Sequence, residues 1–132
     1  IGNNTIDTNE QALQYIHRIQ NMPECFYWVV RWRQNNTPVG LITLMKRSYL
    51  SFFDIGFAFL PQYAGKGFAF EAANALIMEI KGHESFGILL AVTLPENIKS
   101  VRLLIKLGFS FKETHTENGE LLHVYEWKRS IT

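Results

Sequence analysis

The sequence predicts one α/β domain with a mixed, mostly antiparallel sheet that is flanked by helices. Two observations lead to this fold class. Segments rich in β-branched and aromatic residues alternate with segments of helical periodicity, in the order α-β-β-β-α-β-α-β-β. The composition, with 47% hydrophobic and 19% charged residues in a chain of 132, is that of a globular protein with one hydrophobic core.

The elements follow from local signals along the chain. A capping box formed by Thr8 and Gln11 predicts a first helix, which should stop before Pro23. The continuously apolar segment 86–93 predicts a central strand that is covered on both faces, and the Glu-Asn-Gly-Glu turn at 117–120 predicts a hairpin. The other strands are predicted at 26–32, 39–46, 52–60, 109–114 and 121–128, and the other helices at 68–81 and from Asn97 to Gly108.

The two later helices are expected to bury one side each. Gly82 is predicted to cap the C-terminus of the helix at 68–81. In the helix that Gly108 ends, Val101, Leu104 and Ile105 are expected to face the core, whereas the lysine and arginine residues face outward.

Charge and cysteine content exclude several classes of protein. The formal net charge is +1 and the four histidines are scattered, so the basic patch of a nucleic-acid or anionic-membrane binder is not expected. No apolar run approaches the ~20 residues that a membrane-spanning helix needs. The single cysteine, Cys25, allows no internal disulfide and no cysteine-pair zinc site, and is expected to be a small buried hydrophobe. We therefore expect a cytoplasmic protein without a bound metal.

The stretch QYAGKGFAFEAANAL, residues 62–76, places two glycines where a helix is about to begin. The first turn of a helix has unpaired N–H groups and a partial positive charge, and glycine lets the backbone approach a ligand closely. A ligand phosphate can therefore take the place of the missing capping side chain. The spacing fits neither a P-loop nor G-x-G-x-x-G, because Phe70 stands at the third glycine. Taken alone, the two glycines fit an ordinary tight turn equally well.

Two motifs resemble those of the GNAT superfamily of N-acetyltransferases. Gln62, Gly65 and Gly67 match the acyl-CoA motif Arg/Gln-x-x-Gly-x-Gly/Ala, and the sequence around them is most similar to the ribosomal-protein N-acetyltransferase branch. The segment NIKSVRLLIKLGF, residues 97–109, resembles the family pattern N-x-x-S-x-x-L-x-x-K-x-G-F. The resemblance implies a single acetyltransferase domain over residues 1–132.

The resemblance also implies that acetyl-CoA is the co-substrate, and where it binds. Its pyrophosphate would rest on the backbone of the glycine loop, and its pantetheine arm would pair with the splayed end of the third strand and with Asn97. Asn97 fits a helix cap equally well, and Lys66 either approaches the phosphates or is solvated. The residues expected to contact acetyl-CoA are Phe59, Leu60, Gln62, Gly65, Lys66, Gly67, Phe68, Ala69, Phe70 and Asn97.

Asp54 and Ser100 are the candidate catalytic residues. Relatives often carry an acidic residue at the position of Asp54, which lies on the opposite strand face from Phe53 and Ile55. In apolar surroundings its pKa would be raised, which suits a general base, whereas on a solvated face it would have no special role. Many relatives carry a tyrosine that protonates the thiolate where this chain has Leu104. Ser100 is the weaker candidate for that role.

The strand at 26–32 is apolar on both faces, which indicates an interior strand rather than a free edge. The family places a strand and a helix before the first helix of this chain, and both are expected to be missing here. We expect the strand at 26–32 to pair with a preceding segment of the full-length chain or with a second copy in a homodimer.

These inferences predict an enzyme that transfers acetyl from acetyl-CoA to a primary amine by direct attack on the thioester. The pKa of an α-amino group is about 8 and that of a lysine side chain about 10.4, so the sparse acid–base residues favour a protein N-terminus or a small-molecule amine as acceptor. The alternative is a non-catalytic domain that binds or senses acyl-CoA, which the missing tyrosine supports.

Overall fold

The computed structural model describes residues 24–130 together with Gln14. The helix predicted from Thr8 lies outside the described residues, apart from Gln14, which is helical. Short 3₁₀ turns at Pro61–Tyr63 and Glu84–Phe86 precede the first described helix and the fourth strand. The elements of residues 24–130 are β1 (Cys25–Trp32), β2 (Thr37–Met45), β3 (Asp54–Phe59), α1 (Phe68–Ile80), β4 (Ile88–Thr93), α2 (Ile98–Lys106), β5 (Ser110–Glu117) and β6 (Glu120–Lys128).

The described strands form one sheet in the order β1-β2-β3-β4-β6-β5. Its neighbours pair antiparallel except β3 and β4, which are parallel. This parallel pair is in register at one position, Asp54 opposite Leu90, whereas β2 and β3 stay paired from Met45–Asp54 to Gly40–Phe59. The predicted fold class is confirmed, and β3 separates from β4 beyond Asp54.

The main core lies between the sheet and the two helices. Ala73 of α1 and Leu104 of α2 pack there against Leu89 of β4. Leu90, the next residue of β4, belongs to a second cluster on the other face of the sheet. Burying a leucine stabilises a fold by about 1.5–3 kcal/mol, which explains why β4 is apolar from Ile88 to Val92. The prediction of a central strand covered on both faces is confirmed.

The two helices end differently. Gly108 follows α2 with a φ of 98°, and its N–H donates to the Ile105 carbonyl at 3.0 Å. The Phe109 N–H donates to the Leu104 carbonyl at 2.9 Å, which completes the C-terminal motif that a left-handed glycine allows. The cap predicted at Gly82 is wrong, because Lys81 takes the cap position with helical angles and Gly82 is not left-handed.

The outward position of Ile105 corrects another prediction. Its side chain is 59% exposed, whereas Leu104 is 1% exposed. Successive residues of a helix are turned by about 100°, so a helix that centres Leu104 on the core carries Ile105 away from it. Val101 packs against the core as predicted.

Strand β1 forms one edge of the described sheet. Phe26 and Val29 point to opposite faces of β1 and are 49% and 41% exposed. Both faces are therefore apolar, as the sequence indicated. Pairing of β1 with a preceding segment or a second copy stays a prediction, because the residues that precede Glu24 lie outside the described region apart from Gln14.

Candidate functional site

The separation of β3 from β4 leaves backbone groups of β3 without a strand partner. The Leu90 N–H donates to the Phe53 carbonyl at 2.9 Å, so the odd-numbered residues of β3 direct their backbone groups toward β4. Because the pairing ends at Asp54, Phe57 and Phe59 direct theirs into the open gap. Phe59 thus lies where the resemblance places the pantetheine arm. Phe57 shares this position and was missed in the sequence.

Leu60 faces the other way. Its N–H donates to the Val39 carbonyl at 3.0 Å, and its carbonyl accepts from the Tyr63 N–H at 3.0 Å. The Leu60 N–H is therefore already used to hold the strand end against β2, and contact of Leu60 with acetyl-CoA stays a prediction.

The loop between β3 and α1 has the geometry of an anion site. Gly65 and Gly67 adopt left-handed φ values of 76° and 82°, which favour glycine. A Cβ atom built on either would meet nothing within 4 Å. Gly67 is the N-cap of α1 and offers no side-chain oxygen, so the N–H groups of Phe68, Ala69 and Phe70 have no side-chain cap. These residues fit the pyrophosphate of acetyl-CoA.

Lys66 lies at the tip of this loop beside an aromatic cluster. Its Nζ is 5.7 Å from the ring centre of Trp32 and 5.9 Å from that of Tyr63. Trp32 and Tyr63 also contact Phe68 edge-on, at 5.3 and 6.0 Å between ring centres. The cluster connects the loop to β1, while Lys66 and Gln62 remain exposed to solvent.

The start of α2 lies across the gap from this loop. Asn97 is its N-cap, and the Asn97 Oδ1 accepts from the Ser100 N–H at 3.2 Å. The capping role of Asn97 is therefore present, and the amide NH₂ group is left for a second partner. Leu104, which replaces the family tyrosine, is part of the core cluster. The structure thus supplies no acid at that position.

Asp54 is fully buried, with 0% of its surface exposed. The Arg47 Nε donates to its Oδ1 at 2.9 Å, whereas Oδ2 has no hydrogen-bond partner among the described residues. Burial raises the pKa of Asp54, and the Arg47 charge and hydrogen bond oppose that rise. The alternative of a solvated face is wrong, and the hydrogen-bonding capacity of Oδ2 is unused.

The partners of Asp54 were missed in the sequence. Arg47 stands in the connection between β2 and β3, where nothing in the local pattern indicates an ion pair. Tyr49 lies nearby, stacked on His115 with ring centres 4.3 Å apart, and the His115 Nε2 is 2.7 Å from the Glu117 Oε2. Burial raises the pKa of Tyr49. A polar cluster thus extends from Asp54 to β5.

Other kinds of site receive no support from the residues described. Within 24–130 and Gln14, no three histidine, cysteine or acidic side chains are grouped as metal ligands. In the same part of the chain, no helix has the length and apolarity to cross a membrane. Cys25 is half-buried beside Leu41, and burial raises the pKa of its thiol.

The mixed sheet contains one parallel pair of strands, β3 and β4, which separate at one end. The glycine loop and the uncapped start of α1 lie at that open end. This arrangement is the fold that the two sequence motifs led us to expect. The family model described as acetyltransferase (GNAT) domain matches residues 3–110. The chain therefore belongs to the GNAT acetyltransferase family.

Known proteins agree with this assignment. The chain is 33% identical over 76 residues to the uncharacterized N-acetyltransferase YnaD of Bacillus subtilis, an alignment that covers 58% of this chain and 45% of that protein. A GNAT-family acetyltransferase from Bacillus anthracis superimposes with a TM-score of 0.72 at 25% identity, over 94% of this chain and 76% of that one. A ribosomal-protein-S5-alanine acetyltransferase from Vibrio fischeri has a TM-score of 0.71 at 20% identity, over 92% and 71%. The chain thus spans less than half of its curated relative.

Proposed function

We propose that this protein transfers an acetyl group from acetyl-CoA to a primary amine, without an acyl-enzyme intermediate. The observation that carries the proposal is the uncapped, glycine-led N-terminus of α1 at the open end of the β3–β4 gap. Each charge-assisted hydrogen bond to a phosphate there contributes about 1.5–3 kcal/mol. The backbone of Phe57 and Phe59 lines the path from this loop toward Asp54.

Asp54 is the proposed general base. Bound acetyl-CoA supplies a thioester whose C–S bond breaks, with the electron pair leaving on sulfur, as the amine nitrogen forms the C–N bond. The Asp54 Oδ2 takes the proton that the nitrogen loses, while Arg47 holds Oδ1 in place. Ser100, in the first turn of α2, remains the candidate that returns a proton to the thiolate, because Leu104 cannot.

The acceptor is proposed to be an α-amine or a small-molecule amine. A lysine side chain, with a pKa about 2.5 units higher than an α-amine, is harder to deprotonate by about 3 kcal/mol at neutral pH. A single buried carboxyl, whose pKa is raised by burial but lowered by the neighbouring arginine, is a weak base for deprotonating a lysine side chain. The net charge of +1 gives no reason to add a nucleic acid or a membrane as a partner.

Asp54→Asn tests this mechanism. We expect kcat with a panel of primary amines to fall by ~10²–10⁴-fold at neutral pH, because a general base is lost. Higher pH should partly restore it, since more amine is then neutral before it binds, and the calorimetric affinity for acetyl-CoA should not change. An unchanged kcat across the pH range would show that solvent, rather than Asp54, takes the proton.

A non-catalytic acyl-CoA sensor is the second candidate. It is favoured by the burial of Leu104, which is 1% exposed at the position of the family's acid. Release of free CoA thiol in the presence of amines separates the two functions. A sensor would bind acetyl-CoA and release no thiol with any amine of the panel.

A further inference from the structure

Two buried side-chain oxygens lie without a hydrogen-bond partner on neighbouring strands. They are the Thr43 Oγ1 of β2 and the Asp54 Oδ2 of β3, and no other such atom is found in the described part of the chain. Thr43 is 1% exposed and Asp54 is 0% exposed. A buried polar group without a hydrogen-bond partner destabilises the fold. In native structures such groups are therefore nearly always hydrogen-bonded to protein, ligand or water.

The strand register brings the two residues together. Thr43 lies opposite Gly56 and Met45 lies opposite Asp54, so Thr43 and Asp54 are diagonal neighbours. They share the sheet face opposite α1 and α2, because the intervening Leu44 and Ile55 belong to the core that these two helices cover. Diagonal neighbours are about 7–8 Å apart at the backbone, and one nitrogen atom can therefore bridge their side-chain oxygens.

Gly56 connects this pair to the β3–β4 gap. It lies next to Thr43 in the sheet, and beyond it β3 has no paired residue on β4. Because glycine has no side chain, nothing on β3 stands between the gap and the Thr43 hydroxyl at this level. A thioester in the gap would thus lie beside both oxygens.

We propose that the Thr43 Oγ1 and the Asp54 Oδ2 together hold the nitrogen of the acceptor amine, an inference that rests on the proposed function. A neutral primary amine has two N–H groups and one lone pair. If the two N–H groups donate to these two oxygens, the lone pair is left to attack the thioester carbon. As the C–N bond forms, one N–H proton passes to Asp54 and the other stays hydrogen-bonded to Thr43. Thr43 is therefore a residue that binds and orients the acceptor, and the pair selects primary amines.

Thr43→Val tests the role of the hydroxyl, because valine keeps the shape of threonine. With glycinamide, which carries an α-amine, as acceptor, we expect KM to rise by roughly tenfold, the loss that one hydrogen bond explains. The acetyl-CoA affinity should stay unchanged, and the melting temperature should stay the same or rise, because an unpaired buried hydroxyl has been removed. Thr43→Ser should recover the low KM.

Thr93→Val is the matched control. Thr93 lies on β4, is also 1% exposed, and its hydroxyl donates to the Leu94 carbonyl at 3.4 Å. We expect this variant to lose stability and to keep the glycinamide KM. If instead Thr43→Val loses stability and keeps its KM, the pair holds a structural water and the inference is wrong.

Direct binding separates this inference from the proposed function. In the CoA-bound protein, the ¹³C resonance of the Asp54 carboxyl should shift on titration with glycinamide and not with its N-trimethyl analogue, which has no N–H group on that nitrogen. The same shift should be reduced in Thr43→Val. A wild-type protein that binds acetyl-CoA and shows no glycinamide-dependent shift overturns the amine site alone, whereas failure to bind acetyl-CoA overturns the proposed function.

Discussion

The helices α1 and α2 begin on the two sides of one gap, and their first turns are satisfied in opposite ways. At α2, the Asn97 side chain accepts from the Ser100 N–H at 3.2 Å, so the chain caps its own helix. At α1, Gly67 stands at the same position and has no side chain to offer. A side-chain cap stabilises a helix by about 0.5–2 kcal/mol. Helix α2 has this stabilisation, and α1 does not. The comparison teaches that the first N–H groups of α1 have no side-chain cap, as the proposed phosphate site requires.

The backbone conformation also differs between the first residues of the two helices. Gly67 is left-handed at 82°, whereas Asn97 has a φ of −81°, which any residue tolerates. A side chain at Gly67 would have both a strained backbone and a position in the path of the ligand. The start of α1 thus has the backbone that the proposed phosphate site needs, whereas the start of α2 carries its own side-chain cap.

The largest expected effect comes from placing a carboxylate at the start of α1. Gly67→Asp should lower the affinity for acetyl-CoA by about 100-fold or more, since it repels phosphate and removes two or more charge-assisted bonds. Gly119→Asp is the control, because Gly119 in the β5–β6 turn has a φ of 77° and nothing within 4 Å of an added Cβ. Both variants should lose about 1–3 kcal/mol of stability from backbone strain.

Isothermal titration calorimetry on the two folded variants decides this point. Equal affinities for acetyl-CoA in Gly67→Asp and Gly119→Asp would contradict a phosphate site at α1. The contrast between the two helix starts would then be a matter of stability alone.

A smaller effect is expected at the start of α2, where two roles of Asn97 can be separated. Serine also caps helices but has no amide NH₂ group, whereas alanine does neither. Asn97→Ser should keep the melting temperature and weaken acetyl-CoA binding by roughly threefold to tenfold, through one lost hydrogen bond to pantetheine. Asn97→Ala should bind as weakly as Asn97→Ser and lose about 0.5–2 kcal/mol of stability as well. Full affinity in Asn97→Ser would show that Asn97 is a cap and nothing more.

The smallest effect is expected at Lys66, beside the start of α1. Exposed charge pairs contribute about 0.2–1 kcal/mol, so Lys66→Met should weaken acetyl-CoA binding by roughly twofold to fivefold at low salt. The difference from wild type should vanish near 1 M salt, where the screening length is about 3 Å. A loss that persists at high salt would mean that Lys66 acts by holding the loop against Trp32 and Tyr63, rather than by its charge.

Much of the fold was predictable because it rests on local signals. The Glu-Asn-Gly-Glu turn specifies its hairpin, since Asn118 and Gly119 adopt the left-handed φ values of 51° and 77° that such a turn requires. The start of α1 at Phe68 was also predictable, from the glycines before it and the apolar spacing after it. Ile105 was misplaced because the direction in which a helix faces depends on the sheet below it.

The sequence by itself determined the order of the elements, the glycine loop and the membership of the GNAT family, because turn chemistry and motif spacing are properties of neighbours along the chain. Only the tertiary structure decided which backbone groups are paired within the sheet: the Leu60 N–H is bonded to β2, whereas the backbone of Phe57 faces the gap. It also placed two residues near Asp54: Arg47, from the connection between β2 and β3, and Thr43, from β2. Burial and pairing depend on distances between segments, and one chain read along its length does not contain those distances.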